Sequence, residues 1–463
     1  MLDKLRPEFK QMKGALFFNS VFGGGAYTFL LNLSKQFPVL IVDPRADSRS
    51  INGFTLQYIF KGEKQDFIVN DLDLVIEKLE LEEICVNHLI YSNTIGSYID
   101  LIIDLKHKYN LAIKVYLHDF YSICPSINLL DYKAEFCNIP SNSSCNACLE
   151  KYDNPVNTLT FNKSEVLKTK ELHQNNILVW RNMWRKLFDE ASYFILPSNA
   201  AAELWGKAFP EYSKQITILH HDLSYLSAIC QHKNEAMLPF YQVYVIGDLA
   251  EHKGSGIIHG ILELIKINKL NICINIIGAY DGSLFVNTPY LKLHGRFEHD
   301  IIANILNNKD INCFIMPSIC PETFSYVTQE MMATGLPIIA FNLGAQAQFL
   351  SKYESGILVD EINPQKVFDE VFKLYQSHKQ LMYDGLFNSR KTSVINDFIR
   401  KYELCLIENE KLYALLRDNQ LKDKLSSVER EFNCVKQELK NVYNSKSWQV
   451  TKSLRIFMRF LKR

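Results

Sequence analysis

Two tandem series of short apolar runs alternating with segments of helical periodicity constrain this 463-residue chain more than any other feature. In the first series, residues 14–22 predict a buried strand, followed by a glycine turn at 23–25, a helix over 26–36 and a strand over 39–42. Residues 84–92 predict a further strand and 97–109 a helix, with Ile99, Ile102, Ile103 and Leu105 at helical spacing. Residues 113–117 predict a strand running into His118-Asp119; a helix around 178–191 and a strand over 193–196 follow. The second series predicts strands over 242–246, 272–277, 313–316, 337–341 and 356–359, and helices over 254–267, 324–334 and 364–378. Strands that are apolar throughout are buried on both faces, as in a parallel sheet covered by helices on either side.

The expected fold class is therefore α/β, with two Rossmann-like domains facing a cleft. The first spans 1–235 and carries an insertion at 120–165 rich in Asn, Ser, Cys and Pro. The second spans 236–405, after the polar linker 231–239. Ligands of such sheets bind beyond the carboxyl ends of the strands, so the cleft between the domains is the expected site.

The remaining sequence is of another kind. Over 406–445, Leu421, Leu425, Val428, Phe432, Val435, Leu439 and Val442 recur at steps of four and three. That spacing fits a short coiled coil, for self-association or for an assembly partner, and fits equally a helix packed on the body. In 446–463, Leu454, Phe457, Met458 and Leu461 share one helical face, and Lys452, Arg455, Arg459 and Lys462 another. This basic amphipathic tail suits the inner face of a cytoplasmic membrane.

Charge and cysteine usage narrow the class. Lys plus Arg and Asp plus Glu both number 51, so the formal net charge is zero and a general nucleic-acid binder is not expected. The N-terminus has no signal-peptide pattern, and no run of about 18 apolar residues is present to span a bilayer. The 11 cysteines, an odd number, point to free thiols in a reducing cytoplasm. Cys124, Cys137, Cys145 and Cys148 cluster in the insertion, where a structural zinc ion and unliganded thiols are both readings.

The chemistry concentrates in PETFSYVTQEMMATGLPIIAFNLGA, residues 321–345. Glu322 and Glu330 flank the start of the 324–334 helix, and Ser325 is the expected cap. A helix N-terminus there suits a diphosphate, and carboxylates suit sugar and ribose hydroxyls. In VYVIGDLAEHKGSGI, residues 243–257, Gly247 follows a strand and Lys253 precedes Gly254. A glycine turn lets a phosphate approach the backbone, and a lysine adds a point charge. Gly24 and Gly25 make a similar turn in the first domain.

These motifs resemble the retaining glycosyltransferases of family four, which have the GT-B fold. The resemblance covers most of residues 14–405. It implies that Glu322 contacts the donor hexose, Glu330 the ribose, and the amides near Phe324 and Ser325 the sugar and phosphates. It gives Lys253 the role of neutralising the leaving group and His118 a contact to the donor sugar. It places Gly24 and Gly25 near the diphosphate and acceptor. Many members carry an arginine just after the first glycine of the 243–257 motif; here that residue is Asp248.

HDFYSICPSINLLD and the cysteines after it resemble a branch that builds bacterial surface polysaccharide. The implied reaction moves a hexose, with retention and no catalytic cofactor, from a nucleotide-diphosphate sugar to a lipid-linked glycan of O-antigen or capsule. The competing expectations are a catalytically silent GT-B scaffold and a sugar-nucleotide epimerase of the same shape.

Overall fold

Apolar runs that cannot satisfy their backbone groups singly do so by pairing, and here they pair into two sheets. The computed structural model describes residues 1–12, 14–20, 24–43, 53–89, 95–152, 176–229, 240–279, 289–297 and 301–384. The proposed coiled coil (406–445), the basic tail (446–463), the linker 231–239 and Gly23 lie outside the described residues. Both sheets belong to one compact unit, Met1–Leu406.

In chain order the first half contains α1 (Leu2–Met12), β1 (Ala15–Asn19), α2 (Gly24–Leu33), β2 (Val39–Val42), β3 (Phe54–Phe60), β4 (Glu63–Val69), α3 (Leu72–Leu79) and β5 (Glu83–His88). It continues with α4 (Ile95–Tyr109), β6 (Ala112–Tyr116), α5 (Asn142–Tyr152), α6 (Ile177–Glu190), β7 (Tyr193–Leu196), α7 (Asn199–Ala208) and β8 (Ile216–Ile218). The strands order as β4-β3-β2-β1-β5-β6-β7-β8. Strands β1, β2, β5, β6, β7 and β8 pair in parallel. The sheet is not wholly parallel as expected: β3 and β4 form an antiparallel hairpin added beyond β2.

The second half contains β9 (Tyr241–Ile246), α8 (Ser255–Ile267), β10 (Ile272–Ile277), β11 (Leu291–Gly295), α9 (Ile302–Asn307) and β12 (Cys313–Met316). After these come α10 (Tyr326–Ala333), β13 (Ile338–Phe341), α11 (Gly344–Leu350), β14 (Gly356–Val359) and α12 (Pro364–Asp384). This sheet orders as β11-β10-β9-β12-β13-β14 and is parallel throughout. Among the described residues, no helix is long and apolar enough to cross a membrane.

Three apolar clusters hold the unit. One lies under the first sheet, and one on each side of the second. In the first, the fully buried Trp180 and Trp205 do more than fill space. Trp180 Nε1 donates to Tyr121 O at 2.8 Å, and Trp205 Nε1 to Ser122 Oγ at 3.2 Å. They fix the loop that leaves β6 through His118, so packing in this half sets the geometry of residues 118–122.

The insertion expected as a loop contains α5. Cys137, Cys145 and Cys148 each lie within electrostatic reach of Cys124, and Cys124 and Cys145 within reach of the buried Arg181. Arg181 donates to Ile123 O, to Asn142 Oδ1 at 2.9 Å and to Cys145 Sγ at 3.9 Å. None of the four forms a disulfide. Burial raises the Cys137 thiol to about 11 and Cys148 to about 12, so both are protonated at neutrality. Among the described residues, no group of three or more His, Cys, Asp or Glu side chains is arranged to hold a metal ion.

Candidate functional site

Both sheets turn the carboxyl ends of their strands towards one stretch, residues 317–326, which runs from the end of β12 into the first residue of α10. This follows from parallel topology, which sends every strand-to-helix loop to the same edge of its sheet. The segment is tied internally, and then to each sheet.

Within the second sheet, Lys253 and Glu322 meet. Lys253 ends a short 3-10 turn, Glu251–Lys253, after β9. Its Nζ lies 2.5 Å from Glu322 Oε1, which also accepts from Ser318 Oγ at 3.2 Å. The Lys253 side chain is 36% exposed and that of Glu322 16%. Burial opposes the charge on each, but the partner outweighs it, so Lys253 sits above the ordinary lysine value and Glu322 below the ordinary carboxylate value. The pair is ionised at neutral pH. Gln346 of α11 anchors the loop, accepting from Glu322 N–H at 2.9 Å and donating to Cys320 O at 3.0 Å.

Contacts to the first sheet run through the next residues. Thr323 Oγ1 donates to His118 O at 2.7 Å, and Ser198 Oγ donates to Thr323 O at 2.7 Å. The His221 ring packs on Phe324 with centroids 4.5 Å apart and on Tyr326 at 5.0 Å. A Cβ at Gly25 would lie 3.4 Å from the Tyr326 ring, and one at Gly247 would lie 3.8 Å from Val327. Glycines from both sheets therefore flank the first turn of α10. Gly24 has nothing within 4 Å of its Cβ position.

Glu330, one helical turn further on, is only 2% exposed, and its Oε1 accepts from the Tyr225 hydroxyl at 2.8 Å. Ser325 is not the side-chain cap expected of it. It takes a left-handed conformation, no side chain caps α10, and its Oγ is 2.8 Å from Thr328 Oγ1. Asp248, where the resemblance places an arginine, pairs with Arg296 at 3.3 Å.

His118 lies in a buried polar chain. Asn87 Nδ2 donates to Asn19 Oδ1 at 2.9 Å and Ala26 O at 3.3 Å, which turns Asn87 Oδ1 towards His118 Nε2 at 2.8 Å. Nε2 of His118 thus carries the proton, and its Nδ1 accepts from His221 Nε2 at 3.2 Å. Both ring nitrogens are engaged within the protein, and it is the backbone carbonyl of His118 that meets the 317–326 segment. Beside it, His88 Nε2 is 3.3 Å from Asp119 Oδ2.

Burial, then His220, lowers His221 to about 3, while burial followed by His221 and His88 holds His118 well below the usual imidazole value. An unfolded imidazole takes up its proton near pH 6.5. Between that value and about 3 the unfolded chain binds more protons than the folded one, so stability falls as the pH falls. Each such histidine contributes at most about 1.4 kcal/mol per pH unit. The thermal midpoint should therefore drop between pH 7.5 and 5.5, and less steeply in His221→Gln, whose amide can still donate to His118. Equal slopes in the two proteins would remove His221 from the acid-sensitive groups.

The sequence-predicted residues Lys253, Glu322, Phe324, Ser325, Glu330, Gly25 and Gly247 thus gather around the start of α10. Tyr225, His221, Thr323 and Gln346 were not expected. Tyr225 and His221 come from the aperiodic stretch between the two series, where only the adjacent pair His220-His221 after a strand gives a signal.

Residues 241–377 match the family model described as glycosyl transferases group 1. No curated protein matches the chain in sequence. Among solved structures, Alr3699/HepE of Anabaena in complex with UDP is similar with a TM-score of 0.53 at 13% identity, over 87% of this chain and 99% of that one. The same protein with UDP-glucose gives 0.50 at 12% identity, over 87% and 99%. Sucrose-phosphate synthase of Thermosynechococcus elongatus gives 0.51 at 13% identity, over 87% and 98%. At these identities the likeness is one of fold, the two-sheet GT-B architecture. The residues matched by the family model, 241–377, are those of the second sheet and the helices around it.

Proposed function

We propose that this chain is a retaining glycosyltransferase that moves a hexose from a nucleoside-diphosphate sugar to a lipid-linked glycan in surface-polysaccharide synthesis. The carrying observation is the Lys253–Glu322 pair at the start of α10, inside the segment that matches the glycosyltransferase model. In this reading the donor diphosphate lies against the turn after β9 and the first turn of α10. As the sugar leaves, charge builds on the diphosphate, and Lys253 and the backbone amides stabilise it. Glu322 orients the sugar, and Glu330 the ribose. The departing phosphate takes the acceptor proton on the face it leaves, which gives retention. The lipid-linked acceptor and the inner membrane surface are proposed from the basic tail 446–463.

HepE, which shares the fold, was crystallised with UDP and UDP-glucose, which makes UDP-glucose the first donor to try. The test is titration calorimetry with UDP-, GDP- and dTDP-sugars, then nucleotide release with and without a lipid-linked glycan acceptor. Release only with acceptor supports a transferase; release without acceptor, or interconversion of the donor sugar, supports the epimerase. Absence of binding to folded protein supports the silent scaffold.

Glu330 gives a second, independent check. Glu330→Gln should weaken nucleotide binding about 10- to 100-fold, the worth of a hydrogen bond to a charged group. If the variant lowers the thermal midpoint while nucleotide affinity stays at the wild-type value, Glu330 serves only to hold Tyr225.

A further inference from the structure

At the carboxyl edge of the second sheet, three adjacent strands stop on glycines of positive φ: Gly247 (104°) after β9, Gly278 (152°) after β10 and Gly295 (81°) ending β11. Gly247 N–H donates to Ile277 O at 2.8 Å, and Gly278 N–H to Gly295 O at 2.9 Å. A Cβ at Gly278 would lie 2.1 Å from Gly247 O, so the close approach requires glycine. A Cβ at Gly295 would meet nothing within 4 Å. The outcome is a shelf of bare backbone leading to Val327 in the first turn of α10.

The residues that follow the two outer glycines are charged. Asp248 Oδ1 accepts from Ala279 N–H at 2.6 Å, which fixes the carboxylate, and Arg296 Nη2 lies 3.3 Å from Asp248 Oδ2. Arg296 thus reaches from edge strand β11, past the end of β10, to the turn after β9 that leads to Lys253. Its side chain is 77% exposed, and that of Asp248 59%. An exposed ion pair of this kind is weak, so the guanidinium can trade a carboxylate for a phosphate oxygen. Lys253, by contrast, already has its charge matched by Glu322. A diphosphate arriving there meets a pair with no net charge and still needs a cation. Guanidinium suits that task, because its fork of donors matches phosphate oxygens two at a time.

We infer that Arg296 is the second cation of the donor-diphosphate site, and that Asp248 is the positioning residue that holds it over the glycine shelf. This rests on the nucleoside-diphosphate reading above and adds the residue that supplies its missing charge. The substitution Arg296→Ala touches an exposed side chain, so folding is preserved.

The test is calorimetry on the full chain with UDP, GDP, ADP, dTDP, inorganic pyrophosphate and the matching nucleosides. Wild type, Arg296→Ala, Arg296→Lys and Lys253→Ala are compared. Arg296→Ala should weaken the tightest diphosphate, and pyrophosphate, by about tenfold or more while leaving the nucleoside unchanged. Arg296→Lys should recover part of the loss. Diphosphate binding that falls in Lys253→Ala but not in Arg296→Ala overturns the inference and leaves the site reading standing. An equal loss for nucleoside and diphosphate in Arg296→Ala also overturns it, since the arginine then contacts the base or ribose. Wild-type protein that binds none of the four diphosphates nor pyrophosphate removes the donor site, and this inference with it.

Discussion

Lys253→Ala should slow sugar transfer about 10²- to 10³-fold, the usual cost of removing one group that stabilises charge developing in the transition state. The ammonium stands 2.5 Å from Glu322 Oε1 at the entrance to α10, where the leaving diphosphate would gather its charge. Because that charge is greatest after the glycosidic bond breaks, the loss should fall mainly on kcat and less on KM. Stability should change less. Without Lys253, Glu322 keeps the Ser318 hydroxyl at 3.2 Å and can take a proton, since burial alone pushes its carboxyl upward. Initial rates with UDP-glucose and a glycan acceptor, beside the thermal midpoint, separate the two effects. A rate within severalfold of wild type would mean that Lys253 does not serve the leaving group.

Five of the six strands of the second sheet are legible in the sequence because a parallel strand buried on both faces is dominated by apolar residues; the edge strand β11, buried only at Leu291, carries no such run and was not expected. Cys313–Met316 is buried at every position, and so is Ile272–Ile277. The hairpin β3–β4 escapes the same reading for a physical reason. As an edge strand, β4 exposes Glu63, Lys64, Gln65 and Asp66, so no apolar run marks it. Its signal lies in the turn instead: Lys61 and Gly62 have φ of 47° and 88°, the positive values that a two-residue hairpin turn demands.

Helix α5 hides among Asn and Ser residues of low helix propensity, and the helix of seven residues α11 is too short to show a period. Of the site, Lys253, Glu322 and Glu330 are legible because a local motif carries them. Tyr225 meets Glu330 across 105 residues and His221 meets His118 across 103, and such pairings arise from how loops converge, which no local pattern encodes. Arg296 is harder still, since its role depends on Asp248 standing two strands away.

Gly254→Ala should damage both fold and site, and the nearby Gly256→Ala should damage neither. Gly254 has φ of 86°, a conformation that costs an ordinary residue about 1–2 kcal/mol. Its added Cβ would lie 2.0 Å from Pro317 O and 2.8 Å from Pro317 Cβ. The neighbour struck is largely backbone, and it cannot swing aside. Ile319 N–H donates to His252 O at 3.1 Å, and Ser318 Oγ to the same carbonyl at 3.4 Å, which clamps the turn to the 317–319 segment.

Relief must come from the turn itself, which moves Lys253 away from Glu322. With overpacking at about 1–3 kcal/mol, the total should reach about 2–5 kcal/mol. Displacing a charged group by about 1 Å costs roughly 10²-fold in rate, so turnover should fall about as far as the lower end of the loss expected for Lys253→Ala. At Gly256, in the first turn of α8, a Cβ meets nothing within 4 Å, and alanine there should add about 0.5–1 kcal/mol of stability. Thermal unfolding and rate assays on the two variants decide the matter. If Gly254→Ala keeps wild-type turnover at reduced stability, then the Lys253 turn tolerates displacement, and the Lys253–Glu322 contact is not the geometry on which transfer depends.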